Sequence, residues 1–304
     1  MIIHFLSEKS NYNNIKVHFD LCEIEKELGI SSVITFLDKT KIPKFFNRDV
    51  GKILNLGEAL QLSKKDKYNL VIGEENTDVL DQYFSNEYFK VCYIQNFLSF
   101  NDLENYDDKF LWFISKNTKE KIGRKGFILD PFVKKNIFHP KTSQKFKKQP
   151  YIVLLKKSNG GKEASIKLQS MLPIGAYKDK IKFKVIEDLN EKDFAKELRN
   201  SDIYLSTLRH FDLSSLESFA SDTLVLSFTE DLNNYDFLKH NYNSFLTRGV
   251  DFRGMTKIIW KLLEMTPPEL ELLLINGKKT VKEYNREKTK QSLINILRTF
   301  NVSF

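Results

Sequence analysis

Cysteine is nearly missing from this chain of 304 residues: Cys22 and Cys92 are the only two, each in an apolar context. A disulfide framework is excluded on that count, and neither cysteine has a second Cys or a His at metal-ligand spacing, so both read as reduced core residues. Glycine is scarce at 12 and proline scarcer at 7, against 25 phenylalanines and 12 tyrosines. That balance predicts bulky cores and few flexible loops. No run approaches the roughly 18 uninterrupted apolar residues of a bilayer span. The opening MIIHFLSEKS turns polar too soon for a secretory h-region, so the expected location is the cytoplasm.

Several chemical signatures are absent as well. There is no G-x-S-x-G, no H-E-x-x-H and no Asp-x-Asp pair, and the five histidines, His4, His18, His139, His210 and His240, are scattered. Serine hydrolases and metalloenzymes are thereby excluded, and no metal ligand is expected. Neither a P-loop nor G-x-G-x-x-G appears, so the usual glycine cradles for ATP and NAD are lacking.

What the chain does have is apolar content of 41%, charged content of 29% and a net charge of +8, from 48 Lys+Arg against 40 Asp+Glu. This is a globular composition, and the length suits two domains of about 150 residues. A basic balance attracts nucleic acid, anionic lipid or a phosphorylated small molecule alike, so charge does not choose among them.

Short apolar runs alternate with amphipathic stretches throughout. Strands are expected at Met1–Leu6, Ser32–Leu37, Asn69–Ile72, Lys90–Ile94 and Gly126–Leu129, and a helix at Asn14–Leu28. Phe110–Ile122 mixes both signals. The stretch His139–Pro150 is polar, basic and bracketed by prolines, and reads as a linker. Beyond it come strands at Tyr151–Leu155, Ile181–Ile186, Ile203–Ser206 and Thr223–Phe228. Helices are expected at Gly161–Met171, Glu191–Asn200, Leu213–Ala220 and Phe252–Leu263. Pro268–Phe300 reads as long helix. Such alternation predicts an α/β architecture of two parallel-sheet halves, with ligands at the carboxyl ends of the strands, in a central cleft.

Two segments of the second half carry candidate chemistry. In Ser201–Phe228, SDIYLSTLRHFDLSSLESFASDTLVLSF, a helix starting at Leu213–Ser215 would aim backbone N–H groups at a phosphate, and Glu217 could accept hydrogen bonds from vicinal hydroxyls. The same pattern also fits Asp212 or Ser214 as a simple N-cap and Glu217 as an early-turn carboxylate. The second segment is Lys156-Lys157-Ser158-Asn159-Gly160-Gly161-Lys162, where lysines five apart across a Gly-Gly turn could converge on a diphosphate. A solvated basic turn would look alike.

Strand, basic loop, helix, then S-D-I-Y-L-S, L-S-S-L-E-S-F-A-S-D and T-L-V-L-S together resemble the carboxyl-terminal half of GT-B-fold glycosyltransferases of the GT4-like group. That group carries an Arg and, five residues on, a Lys after the first strand of its second domain, and Lys157 and Lys162 fall on those positions. Its E-G-F-G-x-x-x-x-E-A-x-A-x-G segment is similar to Arg209–Asp222, with Glu217 on the ribose-binding glutamate. Arg209 stands where the first glutamate would be, and His210, Asp212 and Asp222 replace glycines. H-x-x-x-x-x-L-E at His210–Glu217 and Y-I-Q at residues 93–95 also resemble a rhamnosyltransferase branch. L-D-P-F-V-K-K-N-I-F-H-P, residues 129–140, is similar to the crossover between the domains, and L-E-S-F-A-S-D resembles segments of phage enzymes that glycosylate DNA bases.

The resemblance implies two Rossmann-like domains: residues 1–145 for the acceptor and 151–285 for the nucleotide sugar, with 286–304 a helix crossing back to the first. It implies metal-independent transfer from a UDP-, GDP- or dTDP-sugar, with no other cofactor, to a glycan or lipid-linked glycan, in the cytoplasm or at the inner membrane face. Lys157, Lys162, Arg209, His210, Ser214, Ser215 and Glu217 would bind the donor. Glu74 and Glu75, after the strand ending Ile72-Gly73, are the candidates for a catalytic base, although an exposed acidic loop would read the same. Gln95 and Asn96 could line the acceptor side. DNA bearing modified bases is the alternative acceptor, and a non-catalytic nucleotide-binding or scaffold protein the alternative class.

Overall fold

A computed structural model of the chain describes residues 1–6, 12–36, 52–66, 69–73, 77–85, 87–95, 106–140, 150–172, 178–187, 189–230, 232 and 236–300. Glu74, Glu75, Asn96 and most of the stretch read as a linker lie outside the described residues. The chain divides into two compact units, Met1–Phe132 with Arg286–Phe304, and Val133–Asn285. The division falls ahead of the His139–Pro150 stretch because the chain is already bonded into the second unit there. Val133 N–H donates to the Tyr284 carbonyl at 3.2 Å, and Phe138 packs edge-on against Phe194.

The first unit holds seven strands: β1 (Ile2–Leu6), β2 (Ser32–Phe36), β3 (Lys52–Leu54), β4 (Leu70–Gly73), β5 (Phe89–Ile94), β6 (Leu111–Phe113) and β7 (Phe127–Ile128). All pairs are parallel, in the order β3-β2-β1-β4-β5-β6-β7. Helices α1 (Tyr12–Glu27), α2 (Leu56–Ser63), α3 (Thr77–Tyr83) and α4 (Lys116–Ile122) complete the crossovers. The central strand β1, IIHFL, is buried along its whole length, as a parallel strand covered on both faces has to be. It places His4 in the core, where the ring meets Glu25 and Cys22 of α1. Burial works against a charged His4, yet Cys22 and Glu25 outweigh it and hold its pKa up to about 10.

The second unit carries β8 (Tyr151–Lys156), β9 (Ile181–Ile186), β10 (Ile203–Ser206), β11 (Leu224–Thr229) and β12 (Ser244–Arg248), parallel and ordered β12-β11-β10-β8-β9. Around them lie α5 (Gly161–Met171), α6 (Glu191–Arg199), α7 (Leu213–Ala220), α8 (Phe252–Glu264) and α9 (Pro267–Glu283). Leu155, Leu205, Leu226 and Phe245 from four adjacent strands pack with Leu168 of α5 and Ile259 of α8 in one core. Two parallel α/β sheets are the architecture that the alternation predicted. Among the described residues no helix is long and apolar enough to cross a membrane.

The structure corrects the single helix expected from Pro268 onward. It begins at a capping box, Thr266 with Glu269 and prolines at its first turn, and ends at Glu283. A separate α10 (Arg286–Thr299) then joins the first unit. There Arg286 pairs with Glu27 at 2.6 Å, and Thr289 Oγ1 donates to the Asp130 carbonyl at 2.9 Å. Phe300 closes the cluster against Phe89, Phe110 and Trp112, ring centroids 5.8 to 6.3 Å apart.

Helix α9 lies close against α7. A Cβ on Gly277 would stand 2.6 Å from a ring carbon of Phe219, itself buried and packed edge-on to Phe237. Gly277→Ala is therefore expected to cost about 1–3 kcal/mol by overpacking. A melting temperature equal to that of the parent would contradict the close approach.

Candidate functional site

Because β8 and β10 are parallel neighbours, the loops that leave their carboxyl ends are side by side. These are the two segments that the sequence singled out, and the structure joins them at two points. The Thr207 hydroxyl donates to the Asn159 carbonyl. Lys156 Nζ, on the last residue of β8, donates to Ser214 Oγ in the first turn of α7 at 2.7 Å. The β8–α5 turn can double back this tightly only with glycine: Gly160 has φ +78°, and a Cβ on Gly161 would fall 2.4 Å from the Lys156 carbonyl oxygen.

The inward lysine is Lys156, which differs from the sequence expectation. Its ammonium is buried, 4.1 Å from the centroid of Phe194, as well as bonded to Ser214. Lys157 points the other way and pairs with Glu187 at 2.5 Å on the surface, a bond that raises its pKa. Lys162 is exposed at the start of α5. No hydrogen bond among the described residues joins Lys157 or Lys162 to α7, so the convergence expected of Lys157, Lys162 and Glu217 is a meeting of loops rather than of those three side chains. The physical cause is strand phase. The sequence placed the end of the strand at Leu155, but β8 continues to Lys156, which alternation turns inward, and the chain then enters a 3-10 turn at Lys157, which faces solvent.

Asp212 organises the front of α7. Its carboxylate accepts from Ser214 N–H at 3.0 Å, Ser215 Oγ at 3.2 Å and Tyr204 OH at 3.2 Å, and its carbonyl accepts from Ser215 N–H at 3.0 Å. The Ser214 and Ser215 amides offered for a phosphate thus go to the N-cap. Burial, reinforced by Asp212, pushes the Tyr204 hydroxyl well above its usual pKa, so it stays a donor. Glu217 lies one turn on, fully buried. Arg209, exposed on the same loop, pairs with Glu230 after β11 at 2.7 Å. Burial lowers the pKa of His210, whose Nδ1 contacts the Phe211 carbonyl at 3.2 Å.

In the first unit Gln95 follows β5 and is buried, with neither amide atom hydrogen-bonded among the described residues. Sequence reasoning missed the surroundings of Cys22. His18, Cys22 and Glu25 fall on one face of α1, opposite His4, and their spacing of four and three residues was the available signal.

No protein-family model and no curated protein sequence matches the chain. Solved structures do. A glycosyltransferase from Rickettsia africae ESF-5 superposes with a TM-score of 0.69 at 11% identity, covering 100% of this chain and 99% of that one. Sucrose-phosphate synthase from Thermosynechococcus elongatus gives 0.70 at 12%, over 99% of each chain. HepE from Anabaena in complex with UDP gives 0.68 at 12%, over 98% of this chain and 100% of its own. With its two parallel sheets and these full-length likenesses, the chain has the GT-B fold of those glycosyltransferases.

Proposed function

We propose that the protein is a glycosyltransferase that moves a sugar from a nucleoside diphosphate sugar to a glycan or lipid-linked glycan, with no metal at the transfer centre. The observation that carries this reading is the joining of the 156–162 and 207–214 segments at the carboxyl edge of the second sheet, through Thr207 to Asn159 and Lys156 to Ser214. In open parallel sheets this edge is where ligands sit. The HepE structures that hold UDP and UDP-glucose make a uridine nucleotide the natural first probe.

Departure of a nucleoside diphosphate concentrates negative charge on its outer phosphate, so fixed cations stabilise the transition state more than the ground state. Lys162, Lys157 and Arg209 are exposed cations of the two joined loops. The partners of Lys157 and Arg209 are surface carboxylates, and solvent screens such pairs, so exchanging Glu187 or Glu230 for a phosphate costs little. Ser214, Ser215 and His210 shape the wall, and Glu217 accepts the ribose hydroxyls once the front turn of α7 admits them. On the acceptor side the buried amide of Gln95 supports a polar ligand there, with Asn96 beside it in sequence. For an inverting course, Glu74 or Glu75, directly after β4, takes the proton of the acceptor.

Calorimetry with UDP, GDP and dTDP tests the reading. At least one is expected to bind the wild-type chain. Lys162→Ala should weaken that nucleotide about fivefold, and the near-isosteric Glu217→Gln at least about tenfold. Absence of binding by all three would support the scaffold alternative. Unchanged affinity in Glu217→Gln would return that residue to a structural role in α7.

A further inference from the structure

The first unit holds a second cluster of chemically capable side chains, in its dry interior and independent of the proposed sugar transfer. His4 comes from β1, and His18, Cys22 and Glu25 from one face of α1. His4 Nδ1 stands 2.9 Å from His18 Nδ1, and His4 Nε2 stands 2.9 Å from Glu25 Oε2. A ring nitrogen of His4, the Cys22 sulfur and a carboxylate oxygen of Glu25 lie within 4.8 Å of one another, and all three residues are buried. Glu25 Oε1 has no hydrogen-bond partner among the described residues, an uncommon state for a buried carboxylate oxygen.

We infer that His4, Cys22 and Glu25 form a binding site for a divalent transition-metal ion, zinc or a chemical equivalent, that pins α1 to β1. An imidazole nitrogen, a thiolate and a carboxylate suit this class and not the hard cations calcium and magnesium, which take oxygen alone. With bonds of about 2.0–2.3 Å in a tetrahedral shell, the donor atoms stand roughly 3.3–3.7 Å apart. To reach those separations the His4–Glu25 contact, now 2.9 Å, opens by about half an ångström, and any separation near the 4.8 Å limit of the trio closes by about one. A dication with one thiolate, one carboxylate and a neutral imidazole is uncharged overall, which a buried site favours. Binding sends the thiol proton of Cys22 and the proton between His4 and Glu25 to solvent. The contact of His4 Nδ1 with His18 then fixes the ring that ligates, as a partner behind a metal-bound histidine does.

The test uses the full tag-free chain carrying Cys92→Ala, so that any thiolate signal belongs to Cys22. It is stripped with a chelator and titrated with Co²⁺. One cobalt per chain is expected, with thiolate-to-cobalt charge-transfer absorption in the near ultraviolet that equimolar Zn²⁺ abolishes. Adding Cys22→Ser should remove the band, and Cys22→Ser or Glu25→Gln should weaken binding at least about tenfold. No cobalt retained, cobalt bound without the thiolate band, or cobalt held undiminished by Cys22→Ser would each overturn the inference. Should those variants not fold, the parent spectrum decides by itself, since a stoichiometric band supports the site and its absence removes it.

Discussion

Lys156→Ala is expected to destabilise the second unit by about 3 kcal/mol, because it deletes a charge-assisted hydrogen bond to Ser214 and the buried approach to the Phe194 ring together. In a unit of this size that corresponds to a fall of roughly 6–12 °C in melting temperature. The two tryptophans give a clean readout, since Trp112 belongs to the first unit and Trp260 to the second. In a Trp112→Phe background, fluorescence follows the second unit alone. Lys156→Met keeps the aliphatic stem but not the ammonium, so it should lose most of the same stability. A loss less than half as large in Lys156→Met would mean that packing of the stem, and not the ammonium, secures the front of α7.

Gly161→Ala should damage the same junction from its other side. The added methyl carbon would meet the Lys156 carbonyl oxygen at 2.4 Å and Leu155 Cβ at 2.8 Å. One is backbone and the other is fixed to it, so no rotamer relieves the clash and the turn itself must move. The expected cost is about 2–3 kcal/mol. Since the turn also presents the Asn159 carbonyl to Thr207, its displacement separates the two loops, and UDP affinity should fall at least about tenfold. A variant that binds UDP as well as the parent would show that the nucleotide does not lie at this turn.

The long apolar strands were readable because parallel sheets demand continuous runs: IIHFL, YIVLLK and LVLSFT stand out against any helical period. Edge strands carry no such demand. Lys52–Leu54 and Ser244–Arg248 pair on one side only, and both went unread. The break between α9 and α10 left no local mark, since Tyr284-Asn285 contains neither glycine nor proline, and only the family resemblance, with its helix over residues 286–304, set the last helix apart. At the candidate site the loops were legible and the side chains less so. A shift of one residue in the end of β8 was enough to exchange an inward Lys156 for an outward Lys157. The grouping around Cys22 needed tertiary information, since His4 approaches α1 from a strand and only the sheet brings it there.

The return of α10 to the first unit has a consequence during synthesis. Val133–Asn285 is one uninterrupted segment and can finish folding as soon as it clears the ribosome. The first unit begins earlier but waits for Arg286 to reach Glu27 and for Phe300 to cover Trp112, both translated after the whole of the second. The half of the molecule made first is therefore completed last, and a stalled or truncated product would carry a finished second unit beside a first one with an open aromatic face.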